Sequence, residues 1–260
     1  MPSFAANLST MFNEHPFLDR FEAAARAGFK AVECQQPYGA TVKDIAARLG
    51  DNGLRLVLHN TPEGGPGDRG IACHPGRGDE FRDSILLALE YAAALGCPCL
   101  HCMAGVAPAN AEPEAVRATY VENLAFAAEA AAPAGVTPLV EPINTRDVPG
   151  YFMNRTDQAL GAIAAAGGGN LGLQFALYHR QIMEGDLIPT LERVLPHVRH
   201  IQIADTPGRH EPGTGEINYP VILERLDALG YAGWVGCEYQ PRAGTLEGLG
   251  WIRPWLPAAA

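Results

Sequence analysis

Two glutamates stand out for chemistry, Glu141 in VEPIN and Glu238 in GCEYQ, because each closes a short apolar run. Other apolar runs end in Asn7, Glu33, His59, His101 and Gln202. A further run presents Gln174 and Ala176, with His179 just beyond. Apolar residues would suffice for packing at such ends, so the polar types there are informative. Two carboxylates in one apolar mouth repel and resist ionising unless a cation, a basic partner or a shared proton pairs them. Carboxyls in that setting suit general acid–base work. Together with Gln202 they offer oxygen ligands, which fit a hard cation such as Mg2+ or Mn2+. Absences narrow the chemistry. The chain has two lysines, Lys30 and Lys43, and neither falls at a strand end, which argues against Schiff-base catalysis. No G-x-S-x-G marks a hydrolase elbow.

Positioning such a ring takes a repeated unit, and the sequence has one. Apolar β-branched runs at 4–9, 31–35, 54–60, 99–105, 137–143, 171–177, 198–205 and 233–239 predict strands. Alanine-rich amphipathic patterns near 17–27, 41–49, 79–95, 113–132, 155–166, 181–196, 219–229 and 244–256 predict helices between them. Thr41 followed by Asp44 reads as an N-cap, and Gly28, Gly96 and Gly230 fall where helices end. Strict alternation implies parallel strands, and eight units point to an α/β (β/α)8 TIM barrel spanning 1–260 as one domain. Catalytic groups then belong at the C-terminal strand ends. The Gly/Pro-rich stretch at 62–78 reads as a long active-site loop. An open doubly wound sheet would need a glycine-rich phosphate turn that leads straight from a strand into a helix. G-x-G-x-x-G occurs at 65–70, inside the long 62–78 stretch, and at 167–172, running into a strand, and no P-loop occurs.

The bulk properties exclude several partners. With 19 basic and 29 acidic residues, the net charge of −10 argues against nucleic acid or an anionic membrane surface and leaves a small molecule as the partner. No apolar run reaches the ~20 residues of a membrane span, and the N-terminus lacks a signal-peptide pattern, so a cytoplasmic location is expected. A homo-oligomer is left open. Cys97, Cys99 and Cys102 resemble a metal cluster in spacing, but two of them alternate across a strand, so the six cysteines are read as buried reduced thiols.

The segments FAANLSTMF, RGIACHPGR, VEPIN, the YH at 178–179, HIQIADTPGRHEPGTGEINYP and GWVGCEYQP resemble the hydroxypyruvate isomerase family of xylose-isomerase-like barrels, collinearly from residue 3 to about 255. The 2-oxo-tetronate isomerase branch fits the opening segment and GRHEP about as well. The resemblance implies that Glu141 and Glu238 are catalytic and bind metal, with Gln202 as a further metal ligand. It implies that His179 and Arg209 hold substrate, and that Arg69 on a covering loop meets a substrate carboxylate. His59, at a strand end, is assigned to substrate contact. The implied reaction interconverts hydroxypyruvate and tartronate semialdehyde, or a related short 2-oxo acid, through an enediolate. Ketose 3-epimerisation is the enzymatic alternative. One departure bears on the metal. Such families carry an aspartate ligand on strand six where this chain has Ala176. Three readings stay open: Mg2+ or Mn2+ held more weakly, a metal-free enzyme, or an impaired barrel that only binds a small ligand.

Overall fold

The structure, a computed structural model, describes residues 2–256. Eight strands close into a parallel barrel in sequence order: β1 (Ser3–Asn7), β2 (Ala31–Cys34), β3 (Arg55–Asn60), β4 (Cys99–His101), β5 (Thr137–Val140), β6 (Gly172–Ala176), β7 (Val198–Ile203) and β8 (Trp234–Cys237). Helices α1 (Arg20–Arg26), α2 (Val42–Asn52), α3 (Gly78–Leu95), α4 (Pro113–Ala131), α5 (Thr156–Ala165), α6 (Leu177–Met183), α7 (Leu187–Val194) and α8 (Tyr219–Ala228) form the crossovers. The eight expected strands are all present, at nearly the expected positions.

Local chemistry explains several ends. Thr41 Oγ1 accepts from the backbone N–H of Asp44, which satisfies one of the free donors at the start of α2. Gly96 closes α3 at φ +64°, a left-handed conformation costly for residues with a Cβ. Apolar side chains of the strands that face outward pack with the helices into one large core. Two smaller apolar groups fill the floor of the barrel, one with Ala5, Ala31 and Val57, the other with Leu58, Cys99 and Leu139. All six cysteines are buried as free thiols. Burial pushes Cys34, Cys73 and Cys102 up to about 12, so they are inert packing groups as expected.

Two helices depart from expectation. The pattern near 181–196 is α6 and α7, broken where Gly185 and Asp186 take φ +62° and +49°. Over 244–256 only two short 3-10 turns form, Glu247–Trp251 and Arg253–Trp255, because Gly248, Gly250 and Pro254 cut the run. Among the described residues no helix is long and apolar enough to cross a membrane.

Above the apolar floor lies a polar layer built around Glu33. Its carboxylate accepts from Asn7 Nδ2 at 2.9 Å, from Gln202 Nε2 at 2.8 Å and from His200 Nε2 at 2.6 Å. Room for it comes from Gly236, where an added Cβ would collide with the Glu33 carboxyl group. Because three bonds hold that group in place, it cannot swing aside. Gly236→Ala is therefore expected to cost about 2 kcal/mol of stability through overpacking, read as a lower urea midpoint at unchanged slope.

Candidate active site

Glu141 follows β5 directly and Glu238 follows β8, so the parallel barrel delivers both to its C-terminal mouth. Candidate donor atoms of Glu141, His179 and Glu238 all lie within 4.8 Å of one another. The two carboxyl groups are treated very differently by their surroundings. Glu238 accepts from Arg209 Nη2 at 2.6 Å, Gln35 Nε2 at 2.8 Å and Asn7 Nδ2 at 3.3 Å. Every partner is a donor, so the pocket is complementary to a carboxylate.

Glu141 is 4% exposed, and its Oε1 has no hydrogen-bond partner. Its nearest basic neighbours are His101 Nδ1 at 3.4 Å and His179 Nε2 at 3.8 Å. Both imidazoles are neutral: burial drives His101 down to about 3, while burial, then Arg209 and His101, hold His179 well below its usual value. Burial first, and then the charge of Glu238, push the Glu141 carboxyl well above its ordinary range, against the opposing pull of Arg209. These surroundings favour the protonated form of Glu141.

The tautomer of His179 follows from its neighbours. The Asn144 backbone N–H donates to Nδ1 at 3.3 Å, and the Asn144 side-chain amide lies 2.6 Å from the same nitrogen. With Nδ1 accepting, the proton of the neutral ring sits on Nε2, directed at Glu141. Asn144 is fixed in turn, since its Oδ1 accepts from the Asp147 N–H at 2.7 Å.

Arg209 sits on the loop after β7 at φ +55°. Asp205 organises that loop by accepting the N–H groups of Thr206 and Ile217 on one oxygen and of Gly213 and Gly215 on the other. The Arg209 guanidinium lies 5.1 Å from the centroid of the Tyr178 ring and 3.5 Å from Asp147. Burial opposes its charge, but Glu238, Glu141 and Asp147 outweigh that and raise its pKa.

The structure thus brings Glu141, Glu238, His179 and Arg209 together, and it separates the other assignments. His59 does not face the mouth. It pairs in register with Leu100 on the helix side of the sheet, its Nδ1 is 3.3 Å from the Tyr38 hydroxyl, and Tyr38 packs on Tyr91 of α3. Asn60, in register with His101, takes the inward place. Arg69 is more than half exposed, and its charged neighbour is Glu63 at 3.5 Å. Gln202 belongs to the polar layer: with its amide nitrogen on Glu33, its oxygen accepts from Gln174 Nε2 at 2.6 Å. Gln35, Asn144 and Arg146 join the site without having been singled out in the sequence. Arg146 is exposed, donates to Thr206 Oγ1 at 3.3 Å and lies against the Tyr178 hydroxyl.

The positions suit a divalent cation, but the atoms do not. His179 presents a hydrogen at Nε2, Gln202 has its oxygen occupied, both Glu238 oxygens are taken by donors, and Ala176, opposite Gln202 in register, ends β6 in a methyl group. Glu141 Oε1 alone among these has no partner. The donor set as folded does not fit the metal that the resemblance implies.

The model for the xylose isomerase-like TIM barrel family matches residues 21–255. A 2-oxo-tetronate isomerase of Cupriavidus necator is 55% identical over 98% of this chain and 99% of that protein. A hydroxypyruvate isomerase of Escherichia coli is 45% identical over 98% of this chain and 100% of that protein. A crystal structure from Brucella melitensis, described as an AP endonuclease of family 2, superposes with a TM-score of 0.97. It is 47% identical and covers 99% of this chain and 100% of its own.

Proposed function

The chain belongs to the xylose isomerase-like TIM barrel family and is an isomerase, and we propose that it converts a short 2-oxo acid bearing a C3 hydroxyl into the 3-oxo acid bearing a C2 hydroxyl. Hydroxypyruvate, giving tartronate semialdehyde, and 2-oxo-tetronate both meet that description, and the names of the relatives support it. The carrying observation is the contrast in surroundings within 4.8 Å: three donors meet Glu238, whereas Glu141 is buried with an oxygen that has no partner.

In this reading Glu238 takes the C3 proton, enediolate charge develops on the substrate oxygens, and Glu141 gives its proton to the C2 oxygen, which yields a cis-enediol. The C3 hydroxyl then returns a proton to Glu141, and Glu238 delivers its proton to C2. One hydrogen moves from C3 to C2 and one from O3 to O2, and each glutamate ends as it began. Two carboxyls whose surroundings push their proton affinities apart can share acid and base roles in this way. His179 Nε2–H and the Arg209 guanidinium face the oxygen atoms on which negative charge develops. Arg146 is the guanidinium suited to the substrate carboxylate, because Thr206 rather than an acidic side chain holds it. Arg69 would serve that end only if the loop 62–78 moved.

The test is proton exchange. With hydroxypyruvate or 2-oxo-tetronate in D2O, proton NMR is expected to show interconversion, with deuterium entering at the carbon beside the carbonyl to the extent that the proton on Glu238 exchanges with solvent before it is delivered. Absence of both exchange and interconversion with either acid would sink the proposal.

A further inference from the structure

The hydrogen bonds around the two glutamates decide how developing negative charge is met. Apart from Glu141, each group that would have to ligate a cation is already committed to a different role, and the commitments support one another. Glu33 accepts only, so the Gln202 amide nitrogen must face it, and reversing the amide would set oxygen against oxygen across 2.8 Å. Reversing the His179 proton would set Nδ1–H against the Asn144 N–H at 3.3 Å. Opening Glu238 to a cation would displace a guanidinium that stands 2.6 Å away. Ala176 adds no charge to compensate for any of these costs.

From this arrangement we propose that the site takes no divalent cation and that the Arg209 guanidinium supplies the fixed positive charge for the enediolate. This rests on the isomerase reading for its reaction, although the claim about the cation stands alone. The placement of Arg209 agrees with it. Its loop is folded around Asp205, its carbonyl accepts from the Gln240 N–H at 2.8 Å, and its plane is backed by Tyr178. A charge held this way needs no reorganisation when the substrate anion forms, and an arginine stays charged at any working pH.

The experiment measures cation binding apart from turnover. Mn2+ would be titrated into the wild-type protein and into Ala176→Asp, with the free-ion signal followed by electron paramagnetic resonance. Exchange and interconversion would be assayed with and without EDTA. The wild type is expected to leave the Mn2+ signal unattenuated and to keep its rate in EDTA, whereas Ala176→Asp binds at least about tenfold more tightly. Arg209→Ala is expected to lose about 10²–10³-fold in kcat, to gain nothing from Mn2+ and to recover part of its rate with added guanidinium. Stoichiometric Mn2+ binding by the wild type that disappears in Glu238→Gln would overturn the proposal. So would a rate abolished by EDTA and restored by Mn2+. If no acid is turned over under any condition, the isomerase reading falls, while the Mn2+ titration still decides the question of the cation.

Discussion

Glu238→Gln is expected to retain the fold and to lower kcat by about 10³-fold, with a much smaller change in KM. Removing a positioned general base typically forfeits about 10²–10⁴ in rate, and Glu238 is the one member of the pair whose surroundings hold it ready to accept a proton. Gln35, Asn7 and Arg209 all donate to it, at 2.8, 3.3 and 2.6 Å. The glutamine variant keeps one acceptor oxygen and replaces the other by a donor that faces donors. Arg209 is 23% exposed and keeps Asp147 nearby, so its charge is not stranded. The loss is therefore expected mainly in the chemical step. Deuterium exchange followed in a single turnover, with circular dichroism as the check on folding, would show it. A variant that exchanged substrate hydrogen at the wild-type rate would remove Glu238 from the reaction.

The second large effect concerns Glu141, and it appears along the pH axis. Burial, with Glu238 beside it, raises its folded pKa above the ordinary carboxyl value, so it works as an acid only while it holds its proton. Activity is accordingly expected to fall as pH rises through that raised value. In Glu141→Gln the descending limb should vanish, and kcat should lie about 10²-fold lower at the former optimum. The same shift acts on stability. A carboxyl whose folded pKa is raised stabilises the fold below its unfolded value, and that contribution is lost as pH climbs to the folded one. Glu141→Gln cannot ionise, so it is expected to outlast the wild type in urea at alkaline pH while losing activity. Parallel urea titrations across the pH range would test this. A Glu141→Gln variant no more stable than the wild type at high pH would contradict it.

Much of this was legible before any coordinates. Alternation of strand and helix is a property of the whole chain, and it survives errors of a residue or two at each end. Glu141 and Glu238 were legible because a carboxyl closing an apolar strand has no packing purpose. What escaped depended on register. Along β2 and β3 the pairing shifts, with Val32 opposite Leu56 but Glu33 opposite Leu58. One extra residue in β3 reverses which side chains face inward, so Asn60 rather than His59 reaches the lumen. No periodicity in LRLVLHN reveals that bulge. The orientation of Gln202 escaped for another reason. Strand and face are as the sequence implied, but the amide is oriented by Glu33, a residue 169 positions away. Asn144 did carry a local signal: an asparagine three residues before an aspartate in a strand-to-helix loop is a common turn former, and here it sets the proton of His179. The break between α6 and α7 was similarly marked by the glycine at 185.

The loop after β7 is closed by a single side chain, since Asp205 alone gathers four backbone N–H groups from positions 206 to 217. Main-chain donors carry no residue identity, apart from proline. The geometry that places Arg209 is thus indifferent to many of the letters it is written in, and acutely sensitive to Asp205 and to two glycines, Gly213 at φ +91° and Gly215, where a Cβ would collide with the Thr206 carbonyl. Mutational drift would spread unevenly here: the exposed Thr214 is free to vary in kind, whereas the half-buried Glu211 accepts the Arg242 N–H at 2.9 Å. For protein engineers this makes the segment a graftable module, a twelve-residue sleeve whose tips can be rewritten to meet a different acid while its anchor and its guanidinium are left untouched.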